Sequence, residues 1–543
     1  MLQNPQTDLR TRKQLLQILC YGDFKLFVRV FFKEHCPYPF SSMHDHFFEW
    51  EMDPSRRGRR EAIAAPRGHA KTTMKVLFKA LHAIVYGYEK FIVVIGHSAP
   101  EAEAKVRDIL NELENNELLQ EVYGLLAPVK GQLGWSTKNF VAQNGIRVMA
   151  KSRGKQVRGL KHGNQRPTLI ILDDCESPDK VLMEEQRYKT RQWLEKDILK
   201  LGSVGGQANI MVIGTCLHPD ALLPTLLTLP GWQGYKYQAV ISFAENQALW
   251  QDWRQIYTDL SNPKRQADAQ AFYEANQSEM LAGTQVLWPE AESYLQLMQM
   301  IVNEGQASFQ SEKQNDPFDP DRQLFHMHLA KRFRVVMGEG QIESIEWLDG
   351  SGKMIHRAQL SEIVAFHDPA LGKKPGQTSE PDYAAIVVVA SDTNGYLYCL
   401  DAYIEKDPLS RQIERAFQLY EKWHFDRLYL EENGFQYLLK GPYTEMNNLQ
   451  TNTYIHVIGV EQHENKFKRI STLEPEITNG YLLFADTLNP RMIEQLSLFP
   501  TSYDDGPDAL EGAVSQLKRR CIYNRGIQGP WPPAWMVNLN RGL

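Results

Sequence analysis

Apolar positions change their rhythm along the chain. Leu15, Leu16, Leu19, Phe24, Phe27 and Val28 recur at helical spacing and predict helices over residues 10–50. Further on the apolar residues come in short unbroken runs: EAIAA (61–65), FIVVIG (91–96), TLIILD (168–173) and NIMVIGT (209–215). Unbroken rather than alternating runs suit strands buried on both faces of a parallel sheet. Helical patterns such as MKVLFKALHAIVYG lie between them, so the organisation is α/β.

The stretch from about 225 to 330 is more polar and aromatic, and its periodicity places no element. A new pattern starts near 362, with EIVAFHDP, YAAIVVVAS and GYLYCLDAYIE. Short turns join them, and Thr393-Asn394-Gly395 is a hairpin signal. A helix (LSRQIERAFQLYEKW), a strand (RLYLEEN), a helix, a strand (YIHVIGV), a helix, a short strand (YLLFA) and a last helix at about 507–520 follow. The pattern predicts one α/β domain over 1–335, with a helical segment at 1–55 and a lid or linker at 225–335. A connector at 336–360, a second domain over 361–522 and an irregular tail at 523–543 complete it.

Composition narrows the class. The 543 residues carry a net charge of −6, so no global basic signature marks a nucleic-acid binder and local clusters must be read instead. The six cysteines form no C-x-x-C pair, which argues against a disulfide framework or structural zinc and for a reducing compartment. No apolar run approaches the ~18 residues of a membrane span, and MLQNPQTDLRTRKQ lacks a signal core. The expectation is a cytoplasmic protein with no membrane contact.

Two constellations carry chemistry. The first is APRGHAKTT (65–73), between a strand pattern and a helix pattern. A phosphate loop uses backbone N–H groups at a helix start, a lysine on the phosphates and a hydroxyl on Mg²⁺. Lys71 and Thr72 supply the last two, while Ala65 and Ala70 stand where glycines are usual. Two alanines predict a different loop path, with Gly68 as the point able to take positive φ. In LIILDDCES, Asp173 ends an apolar strand where a Mg²⁺ ligand belongs, and Asp174 or Glu176 would orient water; spacing does not decide between them. Thr215 ends another strand and could sense the γ-phosphate. Lys151, Arg153, Lys155, Arg158, Lys161 and Arg166 form an acid-free run suited to DNA phosphates.

The second constellation is acidic. Asp368 ends the first strand of the second domain, Glu431 and Glu432 end the fourth, and Asp504, Asp505 and Asp508 open the last helix. Two-metal nucleases need carboxylates at adjacent strand ends. Strand phase favours Glu431, and Asp382 is a further candidate. The order of three strands, helix, strand is that of an RNase H-like fold. Lys373, Lys374, Lys466, Lys468 and Arg469 could meet DNA phosphates.

Together these stretches resemble the large terminase subunit of tailed bacteriophages, over most of the chain. PRGHAKTT resembles that family's divergent phosphate loop, LIILDDCE its Mg²⁺ strand and IGTCLHPD its coupling segment. SEKQNDP (311–317) resembles a polar segment near the end of the ATPase domain. HDPALG with Asp382-Tyr383, LYLEENGFQ and YDDGPDAL resemble its nuclease segments. The resemblance implies an N-terminal P-loop (ASCE/RecA-like) ATPase with a mainly parallel sheet, and a C-terminal RNase H-like nuclease with a mixed sheet. It implies ATP and Mg²⁺ bound by Arg67, Gly68, His69, Ala70, Lys71, Thr72, Thr73, Asp173 and Thr215. Arg67 would stabilise transition-state charge, in cis or in trans. Phe47, Phe48, Trp50 and Arg56–Arg60 would flank the adenine. Asp368, Glu431 and a third acid, Asp505 before Asp508, would hold two Mg²⁺ or Mn²⁺ ions. The implied partners are double-stranded DNA, the portal of a procapsid, the small terminase subunit and further copies of the chain. Those copies would form a ring, five on the portal, with a monomer in solution. The implied location is the host cytoplasm, transiently on the portal. The alternatives are a helicase- or repair-type ATPase–nuclease, and a DNA-binding assembly protein with one vestigial site.

Overall fold

The computed structural model describes residues 9–51, 56–129, 136–155, 157–202, 207–317, 324–370, 383–432, 440–449, 453–500 and 503–524. The chain forms two compact units, Met1–Trp250 with Asn276–Asp319, and Gln251–Ala275 with Pro320–Leu543.

The first unit is built on seven strands: β1 (Arg60–Ala64), β2 (Phe91–Gly96), β3 (Asn139–Val141), β4 (Arg147–Ser152), β5 (Leu169–Asp173), β6 (Asn209–Gly214) and β7 (Gln233–Lys236). Their order is β3-β4-β2-β5-β6-β1-β7, and only β3 runs antiparallel to its neighbour. Alternate residues serve opposite cores. Ile63, Ile92, Val94, Ile171 and Ile213 pack on one face with Phe24, Phe27 and Phe47 from the N-terminal helices. Ala62, Val93, Ile95, Ile170 and Val212 pack on the other, with Leu194, Ile198 and Leu226. That two-sided burial is why these runs show no polar alternation.

The order leaves one strand, β6, between β1 and β5. The loop after β1 and the acids ending β5 therefore face each other across the end of β6. After β1 the chain turns through Gly68 (φ 84°) and Ala70 (φ 55°) into a helix. That helix has wide π-type turns over Thr73–Phe78 and continues as α-helix through Lys79–Tyr86. Gly68 takes the positive φ expected of it, and Ala70 takes one as well. Ala70 adopts the left-handed conformation that glycine usually supplies, at a cost on the order of 1 kcal/mol.

The 225–335 stretch, read as a lid or linker, holds regular elements. It contains β7, an antiparallel pair of β8 (Val240–Ser242) and β9 (Gln285–Val286), and the helices Gln247–Thr258, Arg265–Met280, Tyr294–Glu304 and Gln306–Glu312. The polar Arg265–Met280 sequence carries almost no amphipathic signal, which is why periodicity missed it.

The second unit contains β10 (Arg332–Gly338), β11 (Gln341–Trp347), β12 (Met354–His356), β13 (Leu360–Asp368), β14 (Ala384–Asp392), β15 (Leu397–Glu405), β16 (Arg427–Glu431), β17 (Val457–Val460) and β18 (Leu482–Ala485). They form one sheet in the order β12-β11-β10-β18-β15-β14-β13-β16-β17. Three antiparallel strands, β13 to β15, continue into the parallel β16 and β17. This is the expected RNase H-like order. Residues 336–360 are not a connector: most of that stretch belongs to β10–β12, an antiparallel extension of the sheet. KMIHRAQ reads as linker because β12 is short and alternates exposed with buried positions. The last helix runs Asp505–Asn524. A Cβ at its Gly512 would come within 2.6 Å of the Phe366 ring, so the missing side chain lets the helix lie close on β13. Among the described residues no helix is long and apolar enough to cross a membrane. Asp382, Lys373, Lys374 and the 525–543 tail lie outside the described residues.

Candidate nucleotide and metal sites

The two halves of the first constellation meet. Thr72 Oγ1 donates to the Asp173 carboxylate at 2.9 Å, bridging 101 residues of sequence. Asp173 is fully buried, and burial pushes its carboxyl above the usual range, with Asp174 adding to the rise and Lys105 opposing it. Lys71 is only 6% exposed, and its ammonium makes no hydrogen bond or ion pair among the described residues. A buried lysine without an anion is costly, so the loop holds a charge suited to an incoming phosphate.

The acid pair divides by geometry. Glu176 accepts from Leu222 N at 2.9 Å and so caps the helix Leu222–Thr228. Asp174 stays exposed, in a left-handed conformation (φ 47°), with its N–H on Ile213 O. A Cβ at Gly214 would lie 2.9 Å from Asp174 Oδ1, so the carboxylate rests over the end of β6, beside Thr215. Asp174 therefore stays exposed at the end of β6, and Glu176 is committed to the helix.

Sequence reading missed two contributors. Lys105, from the helix Ala99–Asn115, sits 2.8 Å from Asp173 Oδ2 and donates to its backbone carbonyl at 3.0 Å. One lysine among the glutamates of EAEAKV gives no signal. The second is the role of SEKQND. Glu312 pairs with Arg67 at 2.9 Å, and Lys313 Nζ donates to Arg67 O at 2.9 Å and to Glu292. Ser311 donates to Cys216 O, while Asn315 accepts from Cys216 N and donates to Tyr237 O. This segment ties the phosphate loop to the chain leaving β6.

Other expectations change. His69 turns its N–H to Pro66 O and buries its ring near Trp288, so it offers no phosphate contact in this conformation. Burial also pushes its imidazole down to about 4, as it does for His44, whose Nε2 meets His69 O. Phe47 and Phe48 are core residues and cannot flank an adenine, and the Trp50 side chain lies outside the described residues. Arg59 is buried between Glu51 and Glu61, and Arg57 donates to Tyr88 O. Glu51 also binds Lys75 and Lys79, which anchors the phosphate-loop helix to the N-terminal segment. In the basic run, Arg158 pairs with Asp197 and Arg153 donates to Gln186 O, while Lys155 and Lys161 are exposed.

In the second unit, Asp368, Glu431 and Asp508 each place a carboxylate oxygen within 4.8 Å of the others. The cause is register. His367 of β13 aligns with Leu430 of β16, so the next residues, Asp368 and Glu431, leave the sheet side by side. Burial, then Glu431, drives the Asp368 carboxyl well above its ordinary value. Asp508, mainly by burial, is raised to about 7, although Lys466 and Arg469 oppose the shift. The third member is thus Asp508 rather than the favoured Asp505. Asp505 accepts from Tyr383 N at 3.3 Å and pairs with Lys466 at 3.3 Å. Glu432 pairs with Lys440 at 2.6 Å, which leaves Glu431 for the site. Lys466 and Arg469, expected on DNA, are spent on these acids. Lys466 lies 2.7 Å from Asp504 and 3.6 Å from Asp508, and Arg469 lies 2.8 Å from Asp508. Lys468 pairs with Glu464 on the surface.

No protein-family model matches the sequence and no curated protein matches it. Solved structures do. A large terminase from a thermophilic bacteriophage is 10% identical, with a TM-score of 0.46, over 89% of this chain and 100% of that one. The HK97 bacteriophage large terminase is 11% identical, TM-score 0.32, over 93% and 99%. The large terminase nuclease of thermophilic phage G20c, with bound magnesium, is 14% identical, TM-score 0.25, over 36% and 97%.

Proposed function

We propose that this protein is the large terminase subunit of a tailed bacteriophage, an ATPase and DNA endonuclease that packages double-stranded DNA. The carrying observation is that one chain joins Lys71 and Thr72–Asp173, on a β7-β1-β6-β5-β2 order, to the Asp368–Glu431–Asp508 trio.

In the first unit, Lys71 and the loop amides bind the phosphates of ATP. Thr72 and Asp173 would hold a Mg²⁺, which supplies charge neutralisation at the phosphates. Their mutual contact and the burial of the Asp173 carboxylate, beside Lys105, fit such a cation. Asp174 orients the attacking water, and Arg67, once released by Glu312, neutralises the charge that develops on the γ-phosphate. Thr215 and residues 311–315 carry the state of the phosphate site to the rest of the unit.

In the second unit, Asp368, Glu431 and Asp508 would hold divalent cations, Mg²⁺ or Mn²⁺, because three clustered carboxylates that repel one another fit a dication. The cations supply polarisation of the scissile phosphate and a nucleophilic water. Packaging would need a portal-bearing procapsid, a ring of copies on the portal and a small terminase subunit, all in the host cytoplasm. The test is ATP hydrolysis with and without procapsids and duplex DNA. Stimulation by both, together with nuclease-protected DNA inside the capsid, supports the reading. DNA unwinding without any procapsid response contradicts it.

A further inference from the structure

An aromatic and cationic cluster borders the acid trio. Tyr383 directly precedes β14, whose Ala385 aligns with Asp368, and its N–H donates to Asp505. Tyr503 directly precedes Asp504, and its ring meets Tyr383 edge to face at 4.9 Å. Lys406, just past the end of β15, places Nζ 4.7 Å from the Tyr383 ring centre and 4.8 Å from that of Tyr503, and donates to the Tyr503 hydroxyl at 3.3 Å. The Arg491 guanidinium, paired with Glu405, lies 5.7 Å from the Tyr383 ring. Tyr503 keeps 40% of its surface in solvent.

We infer that Tyr503 and Tyr383, with Lys406, form a stacking subsite for one unpaired nucleotide of the DNA strand beside the scissile phosphate. Two tyrosines at right angles, held by a lysine and partly exposed, are more than core packing requires. Every base has a π-face, so a ring of this kind binds without reading sequence. In an intact duplex both faces of each base are already stacked. The subsite therefore selects a strand that has been locally unstacked, and Lys406 meets its phosphate. The hydrogen bond from the Tyr383 N–H to the Asp505 carboxylate ties the platform to the helix that carries Asp508. The nuclease would then cut preferentially where the duplex opens, at ends, nicks or bubbles.

This inference rests on the nuclease reading of the acid trio, and the experiment separates the two. Full-length protein in Ca²⁺ is titrated into a twelve-nucleotide single strand containing 2-aminopurine, and into a duplex of equal length. Wild type should quench the single-strand fluorescence. Tyr503→Ala should bind the single strand about tenfold more weakly, with duplex affinity changed less than twofold, and Tyr503→Trp should restore single-strand binding. Equal single-strand affinity in wild type and Tyr503→Ala, or equal losses on both DNAs, overturns the subsite. Mn²⁺-dependent cleavage is measured separately with Asp368→Asn. Cleavage unchanged in that variant overturns the nuclease reading, whatever the fluorescence shows.

Discussion

Glu312 holds the Arg67 guanidinium at 2.9 Å across 245 residues of sequence, and Arg67 N donates to Glu312 O at 2.8 Å. The loop arginine is thus latched by the end of its own unit. Its side chain is 73% exposed, so the ion pair adds little stability, about 0–1 kcal/mol. The consequence is kinetic. Arg67→Ala should lower the rate of ATP hydrolysis about a hundredfold or more. Glu312→Gln should raise it in the isolated protein by freeing the guanidinium, with an unchanged melting temperature. Steady-state phosphate release measures both, and a Glu312→Gln rate below wild type would show that the pair is part of the active arrangement.

Asp174 and Glu176 should separate by assay. Asp174→Asn should abolish hydrolysis while leaving stability near wild type. Glu176→Gln weakens the cap on Leu222–Thr228 and should cost about 1 kcal/mol in urea unfolding, with a much smaller loss of rate. A reversed pattern would move the water-orienting role to Glu176.

Ala70 and Gly68 both have positive φ, yet only one is glycine. Gly68→Ala should destabilise by about 1–2 kcal/mol. Ala70→Gly relieves strain but frees the unfolded chain, so the net change should be a gain on the order of 0.5 kcal/mol. Urea midpoints decide, and a clear loss in Ala70→Gly would contradict the left-handed alanine.

The acid trio predicts a pH dependence of the metal-free protein. Asp508 is raised to about 7 and Asp368 well above its ordinary value, both above their unfolded values. Raised carboxyls bind more protons folded than unfolded, so stability is full below about pH 4 for these groups and falls as pH rises through 7. Asp508→Asn should flatten that fall and stabilise the metal-free protein at pH 8. Millimolar Mg²⁺ or Mn²⁺ should do the same for wild type and not for the variant. Thermal denaturation between pH 5 and 8 measures all three.

The parallel strands were legible because burial on both faces removes every polar residue from the interiors of β2, β5 and β6. The same runs located Lys71, Thr72, Asp173, Asp368 and Glu431, since acids and loops at strand ends follow from strand limits. Side-chain commitments were not legible. Nothing in spacing shows that Glu176 caps a helix, that Lys105 sits on Asp173, or that helix phase turns Asp508 toward Asp368 and leaves Asp505 with Tyr383. The β10–β12 extension was missed because its strands are half exposed and join the sheet only through β18.

The most direct measurement of the central claim is a paired assay on wild type, Lys71→Ala and Asp368→Ala. ATP hydrolysis and Mn²⁺-dependent cleavage of duplex DNA are followed in the same preparations. The account predicts that Lys71→Ala loses hydrolysis and keeps cleavage, and that Asp368→Ala loses cleavage and keeps hydrolysis. A wild type with both activities, neither of which responds to either substitution, would contradict it.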